Sequence, residues 1–227
     1  MSLSAPKLDQ YWIDPSTHPL SQVRGPDWWK EPNILFPWAL LQIPFSSEDG
    51  YSLLDVGCGT GTHAIAAAKS GWHVDAFDGS NSAIEYAKVF AQDQEVNSMI
   101  HFSVNYFSDF SYPEKKYAGV FSFNALHHDT EEAMRESVKK VYKSLISWGK
   151  LFVTLPLLST AENYGNQITS HTFLPDSGHE KWVPHVLFDD AFVEEMFGSY
   201  FDIECDEQWS FSFADSRHYF LTMTKRL

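Results

Sequence analysis

The stretch Leu53-Leu-Asp-Val-Gly-Cys-Gly-Thr-Gly61 limits the possible folds of this chain more than all the rest of its sequence. An apolar run carries one inward acid, Asp55, and breaks into three alternating glycines, Gly57, Gly59 and Gly61, with Cys58 and Thr60 between them. An alanine-rich segment, His63-Ala-Ile-Ala-Ala-Ala-Lys69, follows at once. The order is strand, turn, helix, with a turn whose bare backbone a ligand can approach closely. In open α/β sheets, nucleotide-like cofactors sit in the crevice at the carboxyl end of such a strand.

Spacing and charge narrow the ligand. A dinucleotide turn reads G-x-G-x-x-G, but here the third glycine arrives one residue early, and Thr62 stands where that pattern has glycine. Asp55 would repel a pyrophosphate and attract a cofactor carrying an amine and a sulfonium. The motif therefore favours a cationic ligand without phosphate. A second strand is expected to run from Trp72 to Phe77 and to end in Asp78-Gly79-Ser80. An acid at that place can accept both hydroxyls of a ribose, a feature that nicotinamide enzymes share. Ser80 or Asn81 is positioned to cap the next helix.

These residues resemble the class I S-adenosylmethionine-dependent methyltransferases. The matching segments are Leu54 to Gly61, Asp78 to Ser80, and Tyr117-Ala-Gly-Val-Phe-Ser-Phe-Asn-Ala-Leu-His-His128. A weaker match lies at Ser147-Trp-Gly-Lys-Leu-Phe-Val153, where the family usually has Pro-Gly-Gly. The resemblance implies an α/β, Rossmann-like fold: a seven-stranded, mostly parallel sheet with a terminal antiparallel strand pair and helices on both faces. It implies S-adenosylmethionine as cofactor, held by Asp55, Gly57, Cys58, Gly59, Thr60, Gly61, Asp78, Gly79, Ser80 and Asn124. The family's acid after the third strand is absent here. Asn105, Tyr106 and Phe107 stand in its place, and the adenine is expected against the Tyr106 or Phe107 backbone and rings. The fourth-strand acid is also missing, with Ala118 following Tyr117. The pattern Gly178-His-Glu-Lys-Trp-Val-Pro-His185 followed by Phe188-Asp-Asp resembles, more narrowly, the tellurite- and thiopurine-resistance methyltransferases.

One domain spanning residues 1–227 is expected. Hydrophobic periodicity predicts strands at about 51–56, 72–77, 99–104, 117–123 and 150–155, and helices at about 62–70, 81–93, 130–147 and 189–197. Asp129 or Thr130 caps the third of these helices, and Gly198 closes the last. A final antiparallel pair is expected at about 200–206 and 217–225, as in the methyltransferase topology and unlike the dinucleotide fold. Two segments lie outside this cofactor half and are expected to cover the acceptor. One is the N-terminal 1–45, studded with aromatics; the other is 156–187, a long excursion that reads as functional and ordered.

Chemistry asks little of the protein if the donor is a sulfonium. An in-line approach to the methyl carbon is the main requirement, and a general base is needed only if the acceptor loses a proton as it attacks. His127 and His128 end the fourth strand and are the candidates, unless they only hydrogen-bond a neighbouring loop. Trp28, Trp29, His171, His179 and His185 are candidate acceptor-binding residues, the tryptophans alternatively stapling the N-terminal segment to the sheet. Asp55 either contacts the cofactor's amine or accepts backbone N–H groups of its own turn. The ten histidines show no His-x3-His pair and no Cys/His cluster, so no metal is expected.

Composition sets the outer limits. The formal net charge is −14 and the 16 lysines and arginines are scattered, so nucleic acid is not expected as acceptor. Two cysteines, Cys58 and Cys205, make no disulfide framework and point to a reducing, cytoplasmic setting. No signal-peptide pattern opens the chain, and no apolar stretch approaches the ~20 residues that span a bilayer. The expected state is a monomer or homodimer, without membrane contact, acting on a small-molecule acceptor at O, N or S. Two rival readings remain: a non-catalytic relative acting through protein contacts, and an NAD(P)-dependent oxidoreductase.

Overall fold

Alternation along each strand sends neighbouring residues to opposite faces of a sheet, and that rule builds the layers here. A computed structural model describes residues 27–177, 180–210 and 217–227. In β1 (Ser52–Val56), Leu53 enters one apolar core while Leu54 and Val56 enter the other. β4 (Tyr117–Ser122) divides the same way, with Val120 on one side and Phe121 on the other. α1 (Phe36–Leu41), α2 (Thr62–Lys69) and α3 (Asn81–Asp93) cover the Leu53 face. α4 (Glu131–Ser144) and α5 (Asp190–Phe197) cover the Leu54 face. The α4 stripe, Met134, Val138 and Val141, has the spacing of one helical face.

The main sheet has seven strands in the order β3-β2-β1-β4-β5-β10-β9. The remaining strands are β2 (His73–Asp78), β3 (Ile100–Val104), β5 (Leu145–Pro156), β9 (Phe201–Ser210) and β10 (Arg217–Lys225). The first five pair in parallel, whereas β10 runs antiparallel to both β5 and β9. The expected mostly parallel sheet with a reversed terminal pair is therefore the observed one. The order reverses between β1 and β4, and the crevice at their carboxyl ends is the topological switch point where such sheets bind ligands.

Helix caps are those the residue types favour. Ser80 Oγ accepts from Ala83 N at the start of α3, Thr130 Oγ1 from Ala133 N at α4, and Asp189 Oδ1 from Phe192 N at α5.

One expectation needed correction. α4 stops at Ser144, not near 147, because Lys115 N and Lys116 N donate to the carbonyls of Lys143 and Ser144 and satisfy the helix end. β5 therefore starts at Leu145 and absorbs the extra residues in a bulge. Tyr117 pairs with Leu145 but Gly119 with Lys150, and Trp148 takes φ +65°. The 156–187 excursion, expected to be ordered, carries regular elements. It holds a 3-10 turn, Leu158–Tyr164, and a small antiparallel sheet of β6 (Asn166–Gln167), β7 (Thr172–Leu174) and β8 (His185–Val186). Among the described residues, no helix is long and apolar enough to cross a membrane.

Candidate active site

All three alternating glycines are left-handed, with φ +71° at Gly57, +52° at Gly59 and +78° at Gly61. Gly57 shows the tightest need. A Cβ there would lie 2.2 Å from the Cβ of Ala125, in the loop leaving β4. The turn's amides are bonded to the protein itself. Gly57 N and Cys58 N both donate to the Phe77 carbonyl, Gly61 N to Cys58 O, and Gly59 N to Asp78 Oδ2 at 2.9 Å.

Asp55 settles on the helix. Its Oδ2 accepts Ala64 N at 3.2 Å, so a carboxylate of the chain itself stands at the N-terminus of α2. That is where a dinucleotide would set its pyrophosphate. Burial, together with the nearby Asp78, pushes the Asp55 carboxyl up to about 7, even with the Ala64 bond pulling it down. Cys58 is buried beside both acids, and its thiol is pushed well above the usual range. It has no nucleophile's environment.

Asp78 ends β2 at the crevice. Besides Gly59, it accepts Ser80 N at 2.9 Å through Oδ1, so two backbone bonds orient the carboxylate before any ligand arrives. Gly79 lies between them, half-buried, while Ser80 is buried and its hydroxyl is committed to the α3 cap. Asn105 N donates to Asp78 O and Asn105 Nδ2 to Ser103, which fixes the loop after β3. The Phe107 ring comes within 3.5 Å of the position a Gly57 Cβ would take, and Tyr106 is half-buried beside it in sequence. Asn124, exposed and at φ +53°, is held by Thr154 Oγ1, which accepts Asn124 N and donates to Asn124 Oδ1, each at 2.7 Å.

Beyond Asn124 the chain enters a cluster of histidines. His127 is buried, its ring hydrogen-bonded to the Thr154 backbone and its Nδ1 without a partner. The His128 ring lies 4.1 Å from it, and the His185 ring 4.7 Å from His128. One backbone bond assembles them: Val186 N donates to the His127 carbonyl at 2.8 Å, which docks β8 onto the loop after β4. Burial pushes the His128 imidazolium down to about 4 and His127 well below its usual value, with the neighbouring imidazoles adding to both. The rings of His127 and His128 are neutral at pH 7. Glu180 faces two members of the group, with Oε2 2.9 Å from His185 Nε2 and Oε1 3.5 Å from His128 Nε2.

The other sequence candidates lie elsewhere. His171 stacks on Phe192 at 3.7 Å and donates from Nδ1 to the Leu187 carbonyl, pinning the small sheet to α5. Trp29 packs on Tyr86 and Phe90 of α3, and its carbonyl accepts the Thr60 hydroxyl at 2.8 Å, the stapling role. The Trp28 side chain, His179 and residues 1–26 lie outside the described residues. Three site residues were not anticipated: Thr154, Glu180 and His218. His218 sits 6.2 Å from the His127 ring, on β10 opposite Pro156 at the carboxyl end of β5. Only the register of that pairing puts it there.

Strand order, the reversed β10 and the glycine turn with its two acids are those of the class I methyltransferase fold. A family model described as a methyltransferase domain matches residues 53–149. A sterol 24-C-methyltransferase of Gibberella zeae is 29% identical over 126 residues, which is 55% of this chain and 32% of that protein. The chain thus spans about a third of the length of the curated relative it matches. Among solved structures, the PH0226 protein of Pyrococcus horikoshii superimposes with a TM-score of 0.69 at 17% identity, covering 99% of this chain and 100% of that one. The 1,6-didemethyltoxoflavin-N1-methyltransferase of Burkholderia thailandensis, solved with bound 1,6-didemethyltoxoflavin and S-adenosylhomocysteine, has a TM-score of 0.63 at 16% identity and covers 100% of this chain and 93% of that one.

Proposed function

We propose that this protein transfers the methyl group of S-adenosylmethionine to an O, N or S atom of a small molecule held between the glycine turn and the histidine cluster. One observation carries the reading. The Asp55 carboxyl accepts Ala64 N at the N-terminus of α2, which opposes a diphosphate there and complements a cationic donor. Bound there, S-adenosylmethionine supplies a methyl group already activated on a positive sulfur. The residues on hand suit it. Asp78, oriented by Gly59 N and Ser80 N, would accept the ribose hydroxyls, and Phe107 beside Gly57 would border the adenine. Asn124 would stand at the mouth between donor and acceptor, and His128, partly exposed at 22%, would reach the acceptor more readily than buried His127.

Calorimetry tests this directly. S-adenosylmethionine and S-adenosylhomocysteine should bind and NADH should not. Asp78→Ala should weaken both by about tenfold or more, since a charged hydrogen bond contributes ~1.5–3 kcal/mol. Asp78→Asn keeps one acceptor for the turn and separates lost binding from lost folding. Titration of NADH without the sulfonium cofactor would overturn the reading.

A further inference from the structure

We propose that His127, His128 and His185 form a three-histidine binding site for a divalent transition-metal ion of the zinc type, placed where the methyl acceptor would sit. Local sequence spacing offers no such set; β8 docking on the loop after β4 creates it. Each residue brings one ring nitrogen, and these nitrogens lie within 4.8 Å of one another. Ligands of a tetrahedral zinc ion are about 3.3 Å apart, given Zn–N bonds of ~2.0–2.1 Å. Ring rotations of about an ångström would close the set.

Three features favour an ion over a merely packed cluster. First, the tautomer of His185 is set. Its Nδ1 donates to the Val183 carbonyl at 2.9 Å, so in the neutral ring Nε2 carries the lone pair. A backbone carbonyl holding the far nitrogen in this way is the usual support of a metal-binding histidine. Second, Glu180 Oε2 lies 2.9 Å from His185 Nε2, so a carboxylate stands beside the ring nitrogen that would bind the ion. Either a proton on the ring or a bound cation makes such a contact favourable. Third, His127 Nδ1 is buried without any partner, an expensive state for a polar atom unless a ligand takes it up. Glu180, half-exposed at the rim, supplies negative charge beside the three imidazoles.

Imidazole ligands select zinc, nickel, cobalt or copper over magnesium and calcium, which take oxygen. Three protein ligands leave a coordination position open. A thiol or hydroxyl of the acceptor would fill it, releasing its proton to solvent as the ion stabilises the anion. That anion would then form its bond to the methyl carbon as the sulfonium C–S bond breaks and its electron pair returns to sulfur. This use of the ion rests on the methyl-transfer reading; the binding of the ion does not.

The test uses the full chain stripped of metal with a chelator. Cobalt(II) is added and its visible absorption followed, zinc(II) uptake is measured by calorimetry, and S-adenosylhomocysteine binding is measured in parallel. One ion per chain is expected, with the intense visible bands of four-coordinate cobalt. His128→Ala and His185→Ala should each weaken uptake by about 100-fold, and Glu180→Gln, on the rim and harmless to folding, by about tenfold. His171→Ala, outside the cluster, should bind the ion as the wild type does. Absence of cobalt bands and of zinc uptake at micromolar concentrations overturns the proposal, as does equal uptake by the His128 and His185 variants. S-adenosylhomocysteine binding without metal uptake sinks the metal site and leaves the methyltransferase reading standing. Metal uptake without S-adenosylhomocysteine binding does the reverse.

Discussion

A carboxyl group with its pKa near 7 makes Asp55 a source of tension in the folded chain. Burial is the main cause, the Asp78 charge adds to it, and the Ala64 N–H and the neutral Cys58 thiol complete its surroundings. An acid whose folded pKa is raised binds more protons folded than unfolded, so stability falls as pH rises from about 3.8 to about 7 and stays low above that. Asp55→Asn removes the buried charge and keeps an oxygen for Ala64 N. We expect the variant to melt higher than wild type at pH 8, with the gap narrowing toward pH 5, by a few kcal/mol at most. The same change should weaken S-adenosylmethionine binding, because the attraction to a positive ligand is gone. Wild type should also release a proton on binding at pH 7, seen as a binding enthalpy that varies with the buffer. An Asn variant less stable than wild type at pH 8 would refute the account of the charge.

At the level of elements, the glycine turn and the loop leaving β4 are built against each other. The 2.2 Å approach of a Gly57 Cβ to Ala125 joins a strained φ of +71°. Gly57→Ala should therefore cost about 2–4 kcal/mol, read from denaturant melts, by combining the left-handed penalty with overpacking. Ala125→Gly in the same chain removes the clash and should restore about 1–2 kcal/mol of that, a coupling that independent sites would not show. This contact also explains what was legible in the sequence. The turn, Asp78 and the caps at Ser80 and Thr130 are encoded within a few residues of where they act. The β5 bulge at Trp148 was not legible, because the satisfied carbonyls of Lys143 and Ser144 that end α4 receive their donors from residues 115 and 116. The histidine group was equally hidden. His127, His185 and His218 come from three elements, and only the docking of β8 on the His127 carbonyl and the β10 register bring them together.

For the molecule as a whole, the two cores share their strands. Leu53 and Leu54, Val120 and Phe121, Leu151 and Phe152 alternate between the helices of one face and those of the other, so neither layer can leave without exposing the back of the sheet. Residues 27 onward should then unfold as one unit, with far-ultraviolet and near-ultraviolet dichroism changing together. The crevice is framed by β1, β2 and β4 in the middle of that shared sheet, and a ligand there holds the whole unit. At about 100 times its dissociation constant, S-adenosylhomocysteine should add ~2.7 kcal/mol to the unfolding free energy. For a chain of this size that corresponds to a rise in Tm of about 5–11 °C in the single transition. An early transition that the ligand leaves unmoved would mean that one layer folds apart from the crevice, contrary to the strand sharing seen in both cores.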